Sequence, residues 1–259
     1  MSTLNITFDG FDLQNDIYTT TNVNYRHLAE KVIDTKPRPR TGGFDVVDSY
    51  YTQKVITLRG WIRADSEGAL RTARDNLFKA LRGAEKNLDI DYGTEVLRYK
   101  ATVSRIDVPE ESFHINRLPF TIEFLALPWA TKTTSSQDSK SITSSPYSNS
   151  IDVGGTFGPF PVLKWTVSGT PGAAITKIKF ENTTTGDWIE VDDLNLAADG
   201  DYLEIDCENM TVKENATSKD FDGVFPEFEP GTNNYTVTIT GGGGSFTLNQ
   251  TITYYETFL

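Results

Sequence analysis

Along most of its length the chain alternates apolar and polar residues with a period of two. Leu4, Ile6 and Phe8 begin the pattern and run into Asp9-Gly10, a pair suited to a two-residue hairpin turn. Ile56, Leu58 and Ile62 repeat it, followed by Leu97, Tyr99, Ala101 and Val103, then by Leu118, Phe120, Ile122 and Phe124. Such alternation predicts half-buried strands, and Pro128 ends the last because proline donates nothing to a ladder. One stretch departs from this period. In "DSEGALRTARDNLFKALRGAE" the residues Leu70, Ala73, Leu77 and Leu81 recur at helical spacing, predicting a helix over about 66–82, capped by Asp65 or Ser66 and stopped at Gly83. Its apolar stripe suits the face of a sheet better than a cofactor or partner groove.

Residues 131–150, "TKTTSSQDSKSITSSPYSNS", contain twelve Ser or Thr, with Ile142 and Tyr147 as the sizeable apolar side chains. That composition buries too little to offset the entropy of ordering, so it predicts a linker between a domain at 1–130 and a domain at 151–259. Beyond it the period of two resumes in Leu163, Trp165 and Val167, in Ile178 and Phe180, and in Ile189 and Val191 after Trp188. Leu203, Ile205 and Cys207 continue it, then Tyr235, Val237 and Ile239, and finally Phe246, Leu248, Ile252 and Tyr254. Short strands without a helical period predict a β-sandwich. Gly241 to Gly244, with strand-like sequence on both sides, reads as a hairpin loop. The fold class expected is mainly β in two domains: an N-terminal barrel- or sandwich-like domain with one packed helix and an extended arm, then a C-terminal sandwich.

Charge supports the division. Residues 1–130 carry 17 Lys and Arg against 18 Asp and Glu, whereas residues 131–259 carry 7 against 18, and no arginine follows Arg117. The formal net charge of -12 therefore resides almost wholly in the second half, and the basic footprint of a nucleic-acid binder is missing. No apolar run approaches the ~20 residues of a membrane span, and the start "MSTLNITFDGFDL" lacks the pattern of a secretory signal. We therefore expect folding in a cytoplasm, which leaves the six Asn-X-Ser/Thr patterns, Asn234-Tyr235-Thr236 among them, as a product of composition.

Candidate chemistry is sparse. The histidines His27 and His114 stand far apart without companion cysteines, and Cys207 sits in an alternating run as a small buried hydrophobe. Nucleophile elbows, phosphate-binding loops and H-E-x-x-H are absent, so no catalytic, metal or cofactor residues are assigned. Asp89 and Asp91, like Glu204 and Asp206, share a strand face and could in principle hold a cation, but alternation on any wet acidic face produces such pairs. More distinctive is "DTKPRPRTGGFDVVDSYY", residues 34–51. Pro37 and Pro39 favour an extended backbone, Gly42-Gly43 allows a sharp turn, and Arg38, Arg40, Phe44, Tyr50 and Tyr51 are of the types enriched at interface centres. Those five are the candidate subunit-interface residues.

Taken together, the segments "FDGFDL", "GGFDVVDSYYTQKVITLRGWI", "ALRTARDNLFKAL", "LDIDYG" and "LPFTIEFLALPW", then "FPVLKWTVSG", "IKFENTTTGDWIEVD", "ADGDYLEIDCENMTV" and "FPEFEPGTNNYTV", resemble the distal tail proteins of long-tailed, non-contractile bacteriophages in order and spacing over nearly the whole chain. That resemblance implies a non-enzymatic virion component at the tail tip or baseplate, made in the bacterial host cytoplasm. Its first domain would form a homohexameric ring around the tail channel, with segment 34–51 as the ring-forming arm. Its second would be a galectin-like β-sandwich outside the ring. Implied partners are further copies of itself, the tail-tube protein, and a tail-tip, tail-associated or receptor-binding protein, with no nucleic acid, membrane or cofactor. Some relatives carry an inserted sugar-binding domain, for which 259 residues leave no room. The competing reading is a carbohydrate-binding β-sandwich that recognises host-surface saccharide. A carboxylate glycosidase is a third.

Overall fold

The computed structural model describes residues 4–38, 42–109 and 116–259, so Pro39, Arg40 and His114 lie outside the described residues. Two compact units result, one running to Thr133 and including Leu259, the other Thr134–Phe258.

In the first unit, β1 (Asn5–Phe8) and β2 (Phe11–Asp12) form the expected hairpin, with Asp9 and Gly10 both at positive φ as its two-residue turn requires. Then come β3 (Tyr18–Asn24), β4 (Lys31–Pro37), β5 (Phe44–Tyr51) and β6 (Lys54–Arg63), the helix α1 (Glu67–Ala80), and β7 (Lys86–Asp91), β8 (Val96–Asp107), β9 (Arg117–Ala126) and β10 (Ala130–Lys132). One antiparallel sheet runs β2-β1-β7-β8-β9-β6-β3, with β10 also pairing β8. This path stays open, with edges at β2 and β3, so the barrel alternative is not realised. Leu58 and Ile62 face inward with Gly60 between them, because the ring of Phe120, directly opposite, occupies the space a side chain would need there. Over this face lies α1, burying Leu70, Ala73 and Leu77, with Leu81 at its end. Ser66 caps it by accepting a hydrogen bond from the Ala69 amide, and the Tyr18 hydroxyl of β3 donates to the Ala73 carbonyl at 2.9 Å.

The second unit holds β11 (Ser136–Ile142), β12 (Tyr147–Val153), β13 (Val162–Val167), β14 (Ile175–Asn182), β15 (Trp188–Val191), β16 (Tyr202–Asp206), β17 (Thr211–Glu214), β18 (Thr217–Ser218), β19 (Asp222–Gly223), β20 (Gly231–Gly241), β21 (Leu248–Tyr254) and β22 (Thr257–Phe258). Two sheets, β11-β21-β13-β16-β17-β18 and β12-β20-β14-β15-β19, share one core that includes Trp165, Phe180, Ile205, Tyr235 and Ile252. That is a β-sandwich.

Two expectations are corrected here. The Ser/Thr-rich stretch 131–150 is no linker: β11 and most of β12 lie in it, as edge strands of the two sheets, and Ile142 is fully buried. An edge strand needs only one apolar contact per few residues once its ladder is paired, so a Ser/Thr-rich run suffices. The four-glycine stretch is no hairpin loop either. β20 and β21 belong to different sheets, and a 3-10 turn at Gly242–Gly244 carries the chain across. A side chain on Gly243, at φ 62°, would stand 2.6 Å from the Gly172 backbone, which explains the glycine there.

Candidate assembly interface

Segment 31–51 forms a separate two-stranded ribbon of β4 and β5 that pairs with no third strand among the described residues. At its root the Thr52 amide donates to the Glu30 carbonyl at 2.8 Å; at its far end the Arg38 amide donates to the Gly43 carbonyl at 3.1 Å, with Gly42 and Gly43 both at positive φ. A lone two-stranded ribbon is marginal in water. This one nevertheless carries a row of large apolar side chains.

Register decides which of them share a face. Asp34 stands opposite Asp48, but Thr35 stands opposite Val46, so β5 has one extra residue at Val47, a β-bulge. Directly opposed residues of an antiparallel pair project to the same side. Consequently Ile33, Val46, Phe44, Pro37 and Tyr51 line one face, while Asp34, Asp48, Lys36 and Asp45 lie on the other with Val32 and Tyr50. Without the bulge, Phe44 and Val46 would join Asp48 instead. The apolar face is open to solvent within the chain: Ile33 is 52%, Phe44 62% and Val46 58% exposed. On the charged face Arg38 pairs with Asp45 near the ribbon's end.

Of the residues expected at an interface, Phe44 is on the apolar face and Tyr51 at its root, where Lys31 approaches its ring at 5.5 Å. Tyr50 lies on the opposite face and is exposed, Arg38 is held by Asp45, and Arg40 is outside the described residues. Ile33 and Val46 complete the face and were missed, because their placement depends on a bulge that no residue spacing announces. A second exposed apolar patch lies on the outer face of the same unit's sheet, where Val55 of β6 stands opposite Leu125 of β9 and Leu127 follows.

The groups considered for chemistry are otherwise engaged. Arg98 donates to both carboxylate oxygens of Asp89 at 2.8 Å, Asp91 accepts from the Gly93 amide, Lys164 reaches Glu204 at 3.0 Å, and Asp206 holds Asn209. Cys207 is buried, and burial raises its thiol far above the ordinary range, which suits a core residue and not a nucleophile. His27 sits 3.3 Å from the Asn24 amide oxygen. Among the described residues no group of three or more His, Cys, Asp or Glu is placed to hold a metal ion.

Comparison with known proteins places this architecture. Residues 158–258 match the family model described as siphovirus-type tail component, C-terminal domain. The crystal structure of the Dit protein of phage SPP1, described as a paradigm of the hub adsorption apparatus in phages infecting Gram-positive bacteria, superposes with a TM-score of 0.73 at 14% identity, covering 99% of this chain and 100% of that one. A chain of the phage P2 baseplate in its activated conformation with Ca gives a TM-score of 0.47 at 8% identity over 96% of this chain and 97% of its own. No curated protein sequence matches. Residues 158–258 thus match a siphovirus-type tail component C-terminal domain, within a chain that has, end to end, the fold of the SPP1 Dit protein.

Proposed function

We propose that this chain is a structural hub of a phage tail tip or baseplate, in which the first unit closes into a homohexameric ring around the tail channel and joins the tail tube to tail-tip or receptor-binding proteins. The observation that carries this reading is the solvent-facing apolar side of the β4–β5 ribbon. A cyclic ring is built from head-to-tail contacts, each using two different patches of the same chain. The ribbon supplies one, and the sheet face at Val55, Leu125 and Leu127 supplies an apolar counterpart in the same unit. Burying the exposed parts of Ile33, Phe44 and Val46 contributes roughly 1–2 kcal/mol each at every contact. The near-neutral first half can meet its copies without strong repulsion, while the acidic second half is better kept outside.

Phe44→Asp combined with Val46→Asp tests the reading. Both side chains face water within the chain, so the variant keeps the wild-type far-UV circular dichroism, while its melting temperature falls only by the stabilisation the ring supplies; the reading expects it to lose the ring in negative-stain images and light scattering. A variant that still assembles like the wild type would remove the ribbon from the account.

A further inference from the structure

The two sheets of the second unit end in short strands that follow one another in sequence, β18 on one and β19 on the other, and residues 219–221 carry the chain across between them. Beside this crossing lies an open pocket of about 450 Å³, walled by Glu190, Asp192, Asp193, Asp220 and Asp222, with Lys219 as its one basic side chain. Lys219 is already engaged by the Glu214 carboxylate and the Asp193 carbonyl, both at 2.7 Å. Lys177 of β14 reaches Glu190 at 2.7 Å and Asp192 at 3.1 Å. That leaves the carboxylates of Asp193, Asp220 and Asp222 without an ion pair or hydrogen bond among the described residues. Asp222 also stands directly opposite Glu190 in the ladder, an arrangement of like charges that costs stability in the free protein.

Acidic side chains alone would make an ordinary wet surface, but three large apolar ones stand out of the same edge. The Val224 amide donates to the Trp188 carbonyl at 2.8 Å, continuing the ladder past Gly223 and setting Val224 beside Trp188. Phe221 is propped against Phe225, their rings edge to face with centres 4.8 Å apart. Trp188 is 38%, Phe221 39% and Val224 53% exposed. The indole of Trp188 already takes a cation, the Lys179 ammonium 5.0 Å from its ring centre. We propose that this edge is the docking site for a basic and apolar segment of another protein, whose arginine or lysine side chains meet Asp220 and Asp222 while its apolar side chains cover Phe221 and Val224. A neutral saccharide would stack on the rings and leave three carboxylates uncompensated. A second copy of this unit, acidic and without arginine, would add repulsion. A cationic segment answers both the charge and the rings, and the inference rests on the second unit alone, independent of the ring.

Fluorescence anisotropy of a labelled hexapeptide of alternating arginine and leucine, titrated with the full chain, tests this. Asp220→Asn combined with Asp222→Asn is expected to weaken binding about tenfold or more, as the loss of charge-assisted hydrogen bonds does. Glu208→Gln combined with Glu229→Gln removes the same charge from exposed positions of this unit outside the pocket, and is expected to change binding less than about twofold. Equal losses in the two variants would reduce the attraction to net charge and overturn the site; so would a peptide that fails to bind, or one displaced by neutral cell-wall saccharide. Thermal unfolding gives a second readout. Because Asp222 faces Glu190 and holds no partner, Asp222→Asn leaves Tm unchanged or raises it, whereas a lowered Tm would show that the carboxylate serves the fold and would refute the proposal.

Discussion

At the scale of single residues the least expected side chain is Lys54, the first residue of β6, which is 1% exposed. Its ammonium donates to the Tyr99 hydroxyl at 3.3 Å and lies 5.1 Å from the centre of that ring, and no carboxylate pairs with it among the described residues. Burial lowers its pKa below the ordinary 10.5 and pushes the Tyr99 hydroxyl up to about 12. For a base whose folded pKa is depressed, the native state bears the cost of the buried charge at neutral pH and is relieved as pH rises through the lowered value towards 10.5. Lys54→Met should therefore stabilise the protein by roughly 1 kcal/mol at pH 7, an advantage that shrinks as the solution becomes alkaline. Urea unfolding of both proteins at pH 7 and near pH 10 checks it; an advantage that grows with pH would contradict the assigned cause. Alternation in the sequence places Lys54 on the inward face with Ile56 and Leu58, yet a lysine at a strand end reads as solvent-facing, so its burial was not legible.

At the scale of elements, the stretch "FPEFEPGTNNYTVTI", residues 225–239, carries the strand β20, which enters the sandwich from Gly231. Its anchor is Asn233, whose amide oxygen accepts from the Glu229 amide and from Asn182, and whose nitrogen donates to the carbonyls of Glu229 and Gly231. Asn182, equally buried, donates to the Glu227 carbonyl and accepts from the Thr184 amide. A buried network this complete loses several partners at once, so Asn233→Ala is expected to cost ~2–4 kcal/mol, read as a lower denaturation midpoint at an unchanged m-value. A loss below about 0.5 kcal/mol, within the range of ordinary surface substitutions, would show the corner to be held elsewhere. Strands and helix were readable because their periods are written in apolar side chains. The edge strands β11 and β12 were not, since their stability comes from ladder partners far along the chain, at Leu248–Tyr254 and Gly231–Val237. The bulge at Val47 was hidden for the same reason: which of Phe44 and Tyr50 shares a face with Ile33 is fixed by pairing across the ribbon, and the interface residues named from type alone fell on both faces.

At the scale of the whole molecule the two units differ in character, the first near neutral with an unpartnered apolar ribbon, the second acidic and closed around its own core. In the proposed ring that contrast lets the first units meet without strong mutual repulsion. Because the proposed contact is apolar, assembly should survive a rise from 0.1 to 1 M salt, which screens charges beyond about 3 Å but leaves apolar burial intact. Native mass spectrometry of the wild-type chain over a range of concentrations tests the central claim most directly. A dominant species of six copies, retained at high salt, is the predicted result; a protein that stays monomeric at the highest concentration, alone and with tail-tube protein added, would contradict it.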